Sequence, residues 1–184
     1  MFRYDYIAVV DIDEVIMPLQ HSNWSDLIKD IKIKTPESFN STSTFIFRHA
    51  LFLDNEEGEE DALGVKEGIP VWLHMMNHVL RSVRYFPPRY NVKSIHSTER
   101  VQVVFNHYAL ACLGPCKEHN VDPTLGQLNH YRKGCPSSIE DCSEFEEKER
   151  DATVWMIKDQ VIANSQTTLR NINITSTTVL RADM

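Results

Sequence analysis

The chain has 184 residues, of which 42% are hydrophobic and 24% are charged, and its formal net charge is −7. This composition is that of an ordinary globular domain and excludes a disordered or collagen-like chain. Six of the 26 acidic residues lie in segment 54–61 and seven in segment 140–151, and the rest of the chain carries a net charge of +4. The acidity is therefore local, and most of the chain is slightly basic.

Membrane and targeting signals are not evident in the sequence. No apolar run approaches the roughly 18 residues that a membrane-spanning helix requires. The N-terminal sequence has the pattern of neither a signal peptide nor a transit peptide. We therefore do not expect the chain itself to cross a membrane.

The first half of the chain alternates between strand and helix signals. Residues 6–10 are apolar and β-rich, which predicts a strand buried on both faces at the heart of a sheet. A helix is predicted from a cap at Asn23 to about Lys32, followed by a second strand over residues 44–53. Segment 54–61 has no periodicity and is typical of a solvated loop.

The second half continues the same mixture. Helical spacing predicts a helix over residues 70–83, and short apolar runs predict strands over 92–95 and 101–105. Residues 125–132 precede a cysteine-containing loop, and residues 144–164 predict a long helix with an acidic start. Together these elements indicate an α/β domain.

The pattern Asp11-x-Asp13, directly after the first predicted strand, is the sharpest chemical feature. Two carboxylates so spaced can share a hard cation such as Mg²⁺ or Mn²⁺, which in turn neutralises a phosphate group. In open α/β sheets, ligands gather at the carboxyl ends of strands. A pair of acids that only caps a turn would give the same bare pattern.

One class of enzyme with this pattern is the haloacid dehalogenase type of phosphatase. There Asp11 would be the nucleophile and Asp13 the general acid and base. Such an enzyme also needs a late Gly-Asp pair to hold its Mg²⁺, and the chain contains no Gly-Asp dipeptide. The phosphatase is therefore the more distant alternative.

The wider sequence around the motif resembles glycosyltransferase family 92, whose members have the GT-A fold. In that family an apolar strand runs into Asp-x-Asp-Glu, two apolar residues and a proline, as residues 6–18 do here. Further similarities follow in order along the chain, at residues 45–52, 93–96, Val101, His107 and 128–132. The resemblance spans about residues 4–135.

This resemblance implies a metal-dependent, inverting transfer of galactose from UDP-galactose to a glycan acceptor. Asp11 and Asp13 would address the cation and the ribose or diphosphate, and His130 would be a late histidine ligand of the same cation. Imidazole suits Mn²⁺ better than Mg²⁺, so Mn²⁺ is the expected metal. Arg132 and Lys133, beside His130, would bind the substrate's diphosphate.

Other candidate residues have equally good explanations as packing or surface residues. This applies to Lys93, His96 and His107. The acids of segment 54–61 include conceivable general bases for deprotonating an acceptor hydroxyl, but a solvated loop explains them as well. No general base is assigned, and no nucleic acid partner is expected.

Four cysteines and three glycosylation sequons bear on the compartment. Cys112, Cys116, Cys135 and Cys142 allow three pairings, and their spacing is not the usual one of a zinc site. The sequons begin at Asn23, Asn40 and Asn173. With the family resemblance, they point to the lumen of the Golgi or secretory pathway and to a membrane-anchored parent glycoprotein whose anchor is not in this chain.

Residues 1–184 are interpreted as one partial domain. Its motif-bearing core covers about residues 4–135, and a helical C-terminal extension covers about 143–184. Because the GT-A nucleotide-binding strands precede the Asp-x-Asp strand, we expect the N-terminal half of the fold to be missing. The isolated chain is then expected to show no turnover of UDP-galactose. A non-catalytic glycan-binding or interaction remnant is the alternative function.

Overall fold

The computed structural model describes residues 4–53, 67–132, 134 and 143–172. It shows a mixed α/β architecture, as the sequence predicts. The strands are β1 Tyr6–Ala8, β2 Glu14–Pro18, β3 Thr44–Phe47, β4 His49–Leu53, β5 Leu80–Ser82, β6 Lys93–Ser97, β7 Val101–Val104, β8 Ala109–Cys112, β9 Glu118–Asn120, β10 Gly126–Arg132 and β11 Lys148–Arg150. The α-helices are α1 Trp24–Lys34, α2 Pro36–Phe39, α3 His74–Asn77 and α4 Lys158–Asn171, with 3₁₀ turns at Ser143–Phe145 and Thr153–Ile157.

Two sheets carry the part of the fold that matters for function. The larger has the strand order β1-β6-β3-β9, and the smaller has the order β2-β10-β4. In the smaller sheet, β10 pairs antiparallel with β2 and parallel with β4. The strand β10 is therefore central, and its neighbour β2 begins directly after the Asp-x-Asp motif.

Helix α1 covers the main hydrophobic core. Its cap is the predicted one, because the Asn23 side chain accepts a hydrogen bond from the Asp26 amide. Leu27, Ile28 and Ile31 are the buried face of this helix. They pack with residues from both sheets, namely Ile16, Phe45, Phe47, Ile95 and Leu128. The predicted helix is confirmed, and its burial ties the two sheets together.

The prediction of a central first strand is wrong. Strand β1 has three residues and lies at the edge of its sheet, paired only with β6 among the described strands. Tyr6 and Ala8 pack on the core, but Ile7 is 48% exposed. Successive side chains of a strand point to opposite faces of the sheet, so a strand with one covered face buries only alternate residues. The continuous apolar run therefore does not mean that both faces of β1 are buried.

The predicted strand over residues 44–53 is divided at Arg48. Its first part, β3, belongs to the larger sheet, whereas its second part, β4, belongs to the smaller one. The Arg48 carbonyl accepts the Leu128 amide, and its guanidinium donates to the Phe86 carbonyl. The chain therefore crosses between the sheets at Arg48, whose carbonyl is bonded to β10 of the smaller sheet and whose guanidinium is bonded to the segment before β6.

The helix predicted over residues 70–83 is only the single turn α3. The side-chain amide of Asn77 donates to the carbonyls of Pro70, Val71 and Leu73, which closes this turn. The chain then becomes extended as β5, which pairs with β11. Tertiary pairing has overridden the helical spacing.

The helix predicted over residues 144–164 is also corrected, while the part of the predicted extension beyond residue 172 lies outside the described residues. Helix α4 begins at Lys158, while residues 148–150 are the strand β11. Arg81 on β5 makes ion pairs with Glu149 and Asp151, which hold this acidic stretch extended. Acids that the sequence assigned to a helix start are partners of a neighbouring strand instead.

Two further findings concern the cysteines and the membrane-spanning potential of the helices. Cys112 and Cys116 form a disulfide, so neither is available as a zinc ligand. Cys135 and Cys142 lie outside the described residues. Within the described ranges, no helix is long and apolar enough to cross a membrane.

Candidate functional site

The Asp-x-Asp motif lies in a tight turn between β1 and β2. The Glu14 amide donates to the Asp11 carbonyl, and the Asp11 amide donates to Glu14 Oε2 at 2.9 Å. These reciprocal bonds fix the turn at both ends. The Asp11 and Asp13 side chains remain 54% and 43% exposed, whereas that of Glu14 is only 3% exposed.

Lys93, the first residue of β6, holds one end of this turn. Its side chain is completely buried, and Nζ lies 2.8 Å from Asp11 Oδ2 and 3.2 Å from Glu14 Oε2. Nζ also donates to Asn106 Oδ1 at 2.5 Å. The hydrogen bond from Lys93 lowers the pKa of Asp11, against an opposing effect of burial. The buried ammonium of Lys93 thus has three oxygen partners, one for each of its N–H donors. Its positive charge offsets the negative charges of the Asp11 and Glu14 carboxylates on the buried side of the motif.

His130 on β10 holds the other end. Because His130 is directly opposite Glu14 in the β2–β10 register, its ring is brought to the motif. Its Nε2 lies 3.3 Å from Asp13 Oδ2, and the Tyr131 amide donates to the Asp13 carbonyl at 2.9 Å. Asp13 is thus bound through both its backbone and its side chain to the strand that carries His130.

A second histidine supports the first. His49 Nε2 lies 3.1 Å from His130 Nδ1, and the His49 ring is stacked on Phe86 with centroids 4.2 Å apart. Burial, and then the nearby positive charges of His130, Arg132 and Lys93, lower the pKa of His49 to about 3. His49 is therefore neutral at physiological pH.

The remaining predicted site residues are placed as follows. Arg132 ends β10 and is half-buried. It lies two residues after His130, on the same face of the strand. Its charge contributes to the lowered pKa of His49, so it lies near the histidine pair. Lys133 lies outside the described residues, as do the acids of segment 54–61.

The weaker histidine candidates have structural partners. His96 is buried in β6, where its Nδ1 is 3.1 Å from Thr44 Oγ1, and burial lowers its pKa to about 4. His107 Nδ1 lies 2.9 Å from the Val92 carbonyl. His107 therefore braces the loop before β6, next to Asn106 and Lys93, and His96 is a core residue.

Sequence reasoning missed two members of the site. Glu14 was part of the motif, but only the fold shows that it is buried against Lys93. His49 was an unremarked residue within an apolar strand. The available signal was a histidine in the middle of a strongly hydrophobic run, where a polar side chain needs a partner.

The site offers few ligands to a divalent cation. The described residues contain no cluster of three or more His, Cys, Asp or Glu side chains arranged to hold a metal. However, two ligands that each lie about 2.2 Å from a cation are separated by roughly 3 Å, which is close to the 3.3 Å between Asp13 and His130. The same 3.3 Å is a hydrogen-bond contact in which the imidazole donates to the carboxylate, so a cation would take the place of that proton and would need its other ligands from a diphosphate and water. Asp11 is already paired with Lys93.

Comparison with known proteins gives the family. The family model described as glycosyltransferase family 92 matches residues 1–165. Comparison with curated proteins finds no match. The match covers most of the chain and includes every residue of the site described above, so this protein belongs to glycosyltransferase family 92.

Proposed function

We propose that this chain provides the cation- and diphosphate-binding part of an inverting galactosyltransferase with a GT-A-type fold, which transfers galactose from UDP-galactose to a glycan acceptor. Membership of the family supports glycosyl transfer in general. The observation that carries the metal-dependent mechanism is the pairing of Asp13 with His130 beside a solvent-accessible carboxylate edge. The mixed sheets around β10 are consistent with the proposed fold.

Asp13 and His130 would hold the cation. A carboxylate with an imidazole is a donor set that Mn²⁺ accepts well, and Mn²⁺ is the proposed cofactor. When bound, the cation would neutralise the charge that develops on the UDP leaving group. The chain's own contribution is to keep both ligands oriented, since Asp13 is fixed by the Tyr131 amide and His130 by its strand.

Arg132, the last residue of β10, would meet the diphosphate, and Lys133 is proposed as a second residue that binds it. A guanidinium makes strong, directional hydrogen bonds to phosphate oxygens. Lys93 has a different task, because its ammonium is buried and bonded to Asp11, Glu14 and Asn106. It fixes the Asp11 carboxylate, whose free edge would then face the ribose or diphosphate.

We also propose that the protein acts in the Golgi or secretory lumen as a membrane-anchored glycoprotein. The Cys112–Cys116 disulfide supports an oxidising compartment. Asn40, the acceptor of one sequon, is exposed at the end of α2. Asn23 is a poorer acceptor, because its side-chain amide is hydrogen-bonded to Ser22 and Asp26.

The first test is calorimetric titration of the protein with UDP, in the presence and absence of Mn²⁺. The second measures the transfer of galactose from UDP-galactose by the protein purified from the cells that naturally make it. Asp13→Asn should lower Mn²⁺ affinity by at least about 100-fold and abolish transfer. Asp5→Asn, an exposed carboxylate before the motif, is the matched control and should change neither.

The outcomes separate the candidate functions. Binding of UDP that needs Mn²⁺ and Asp13, with transfer activity, supports the proposal. Full transfer activity in Asp13→Asn would refute the metal role. Glycan binding that is indifferent to Mn²⁺, UDP and Asp13 would identify a non-catalytic remnant, and Mg²⁺-dependent hydrolysis of a generic phosphate ester would favour a phosphatase.

A further inference from the structure

The hairpin formed by β7 and β8 carries large apolar side chains that are exposed to solvent. Among the described strands, these two pair only with each other. Val103, Phe105, Tyr108 and Leu110 are all exposed. Single exposed apolar residues are ordinary, but several on one small element commonly mark a binding surface. The hairpin is therefore a candidate for contact with a ligand.

Two of these residues form an aromatic pair at the tip of the hairpin. The Phe105 amide donates to the Tyr108 carbonyl at 2.9 Å and closes the turn between them. Their rings lie side by side, with centroids 5.5 Å apart and an interplanar angle of 47°. Phe105 is 51% exposed and Tyr108 is 46% exposed. The pair is thus an aromatic surface that is about half open to solvent.

The two residues between the rings hold this surface beside the Asp-x-Asp motif. Asn106 Oδ1 accepts a hydrogen bond from Lys93 Nζ, the same ammonium that donates to Asp11. His107 Nδ1 lies 2.9 Å from the Val92 carbonyl. Lys93 contributes most to the lowered pKa of Asp11, and Asn106 and His107 also lower it, so both lie close to that carboxylate. The aromatic pair is therefore fixed at the Lys93 end of the candidate site.

Hairpin stability alone does not require two aromatic rings at this position. Facing aromatic residues on paired strands do stabilise a hairpin, but β-branched residues also serve this purpose. The turn is in addition anchored to β6 and the segment before it by Asn106 and His107. What the rings add is a broad, rigid apolar surface next to a polar site.

The chemistry of this surface suits a sugar. A pyranose ring has a face of C–H groups, which packs well on an aromatic ring, and a rim of hydroxyl groups that bond to polar residues or water. A donor sugar has to be shielded from water during transfer. A half-open surface instead suits a sugar that belongs to a longer chain reaching into solvent, as in a glycan acceptor.

We infer that Phe105 and Tyr108 form a platform on which a pyranose ring of the glycan acceptor stacks, beside Asp11. This inference rests on the proposed function for the role of that sugar as the acceptor. The stacking itself needs neither a cation nor UDP and can be measured without them.

The test is the binding of methyl β-D-galactopyranoside to the full chain, without Mn²⁺ or UDP, measured by titration with saturation-transfer difference NMR. Sorbitol, an open-chain alditol with similar hydroxyl groups and no ring face, is the control ligand. Tyr108→Leu keeps an apolar contact for Phe105 but removes the ring, and Tyr108→Phe keeps the ring. Leu110→Ala, at an exposed residue of the same hairpin, is the matched control. Urea unfolding confirms that each variant is folded.

The wild type should bind the galactoside but not sorbitol, with the strongest saturation on the C–H protons of one ring face. Tyr108→Leu should weaken galactoside binding by about 2- to 10-fold, the range expected for the loss of one aromatic stacking partner. Phe105→Leu should have a similar effect and replaces Tyr108→Leu if that variant does not fold. Tyr108→Phe and Leu110→Ala should bind as the wild type does.

A wild type that does not bind the galactoside, or leucine variants that bind it with wild-type affinity, would overturn the inference. Calorimetry with UDP and UDP-galactose in Mn²⁺ separates the two sugars of the reaction. Tyr108→Leu should leave both affinities unchanged, and a loss for UDP-galactose alone would place the donor sugar on the platform and overturn the assignment to the acceptor. Failure of the wild type to bind UDP-galactose would instead refute the proposed function, and the galactoside titration would still decide whether the aromatic pair binds a sugar.

Discussion

The two aspartates of the motif differ more than their spacing suggests. Asp11 is paired with the buried ammonium of Lys93, whereas Asp13 is paired with an imidazole, His130, that is itself braced by a second imidazole. Both carboxylates are about half exposed. The Lys93 end therefore has its charge balanced by the protein, while the His130 end has donor atoms to offer to a cation.

This difference arises from which strand reaches each end of the turn. Strand β6 brings Lys93 from the larger sheet, and β10 brings His130 from the smaller one. Glu14 lies between them, with one oxygen 3.2 Å from Lys93 Nζ and the other 3.7 Å from His130 Nδ1. The Lys93 end is therefore structural, and the His130 end is the one to which the proposed function assigns the cation.

The largest expected effect is on stability, at the Lys93 end. Lys93→Met leaves the buried Glu14 carboxylate without its cation, and removing one partner of a buried ion pair costs about 3–5 kcal/mol. Urea unfolding measures this loss. Lys29→Met, which removes an ion pair to Asp26 on the surface of α1, is the matched control and should cost about 0.5 kcal/mol or less. Equal, small losses in both variants would remove the distinction between the ends.

The next effect is on ligand affinity, at the His130 end. Arg132→Met should weaken UDP binding in saturating Mn²⁺ by about 10- to 100-fold, because a hydrogen bond to a charged group is lost. Mn²⁺ affinity without UDP should not fall, since the guanidinium is not a ligand. Arg132→Lys, which keeps the charge, should have an intermediate effect. An unchanged affinity for UDP would exclude Arg132 from the diphosphate site.

The two ends should also respond to acid in different ranges of pH. Burial lowers the pKa of His49 in the folded protein to about 3. As pH falls below about 6.5, the ordinary pKa of histidine, His49 is protonated in the unfolded chain but not in the folded protein. The free energy of unfolding therefore decreases in this range of pH. The pKa of Asp11 is lowered mainly by Lys93. Asp11 therefore makes its full contribution to stability at pH values above the ordinary pKa of an aspartate. This contribution is lost only at lower pH, as Asp11 is protonated in the folded protein.

This comparison is measured by urea unfolding as a function of pH. Each buried neutral histidine contributes a slope of at most about 1.4 kcal/mol per pH unit. His96, with a pKa lowered to about 4, contributes in the same range. His49→Phe should therefore reduce the slope below pH 6.5 without abolishing it, and Asp11→Asn should change only the most acidic part. A slope unaffected by His49→Phe would contradict the assignment.

The sequence was sufficient for the parts of the site that are local or carried by the family resemblance. The cap of α1 was predicted from local sequence, and the resemblance singled out the motif and His130. The edge position of β1 was not predictable, because it depends on which strands pair with β6. The short α3 and the strand β11 were missed because pairing between distant segments overrode local spacing.

The supporting residues were the hardest to predict. Lys93 lies 82 residues from Asp11, and His49 lies 81 residues from His130. Nothing in either local sequence identifies its partner, since the contact follows from the order of strands in two sheets. Only the assembled fold distinguishes a lysine that satisfies a buried acid from one on the surface.

The central claim is that Asp13 and His130 hold a divalent cation while Asp11 is held by Lys93. Pulsed electron paramagnetic resonance of Mn²⁺ bound to the protein tests it most directly, because a coordinated imidazole couples its ¹⁴N nucleus to the metal. We predict a histidine nitrogen coupling in the wild type that persists in Asp11→Asn and disappears in His130→Gln. A wild-type signal without nitrogen coupling, or one that survives His130→Gln, would contradict the account.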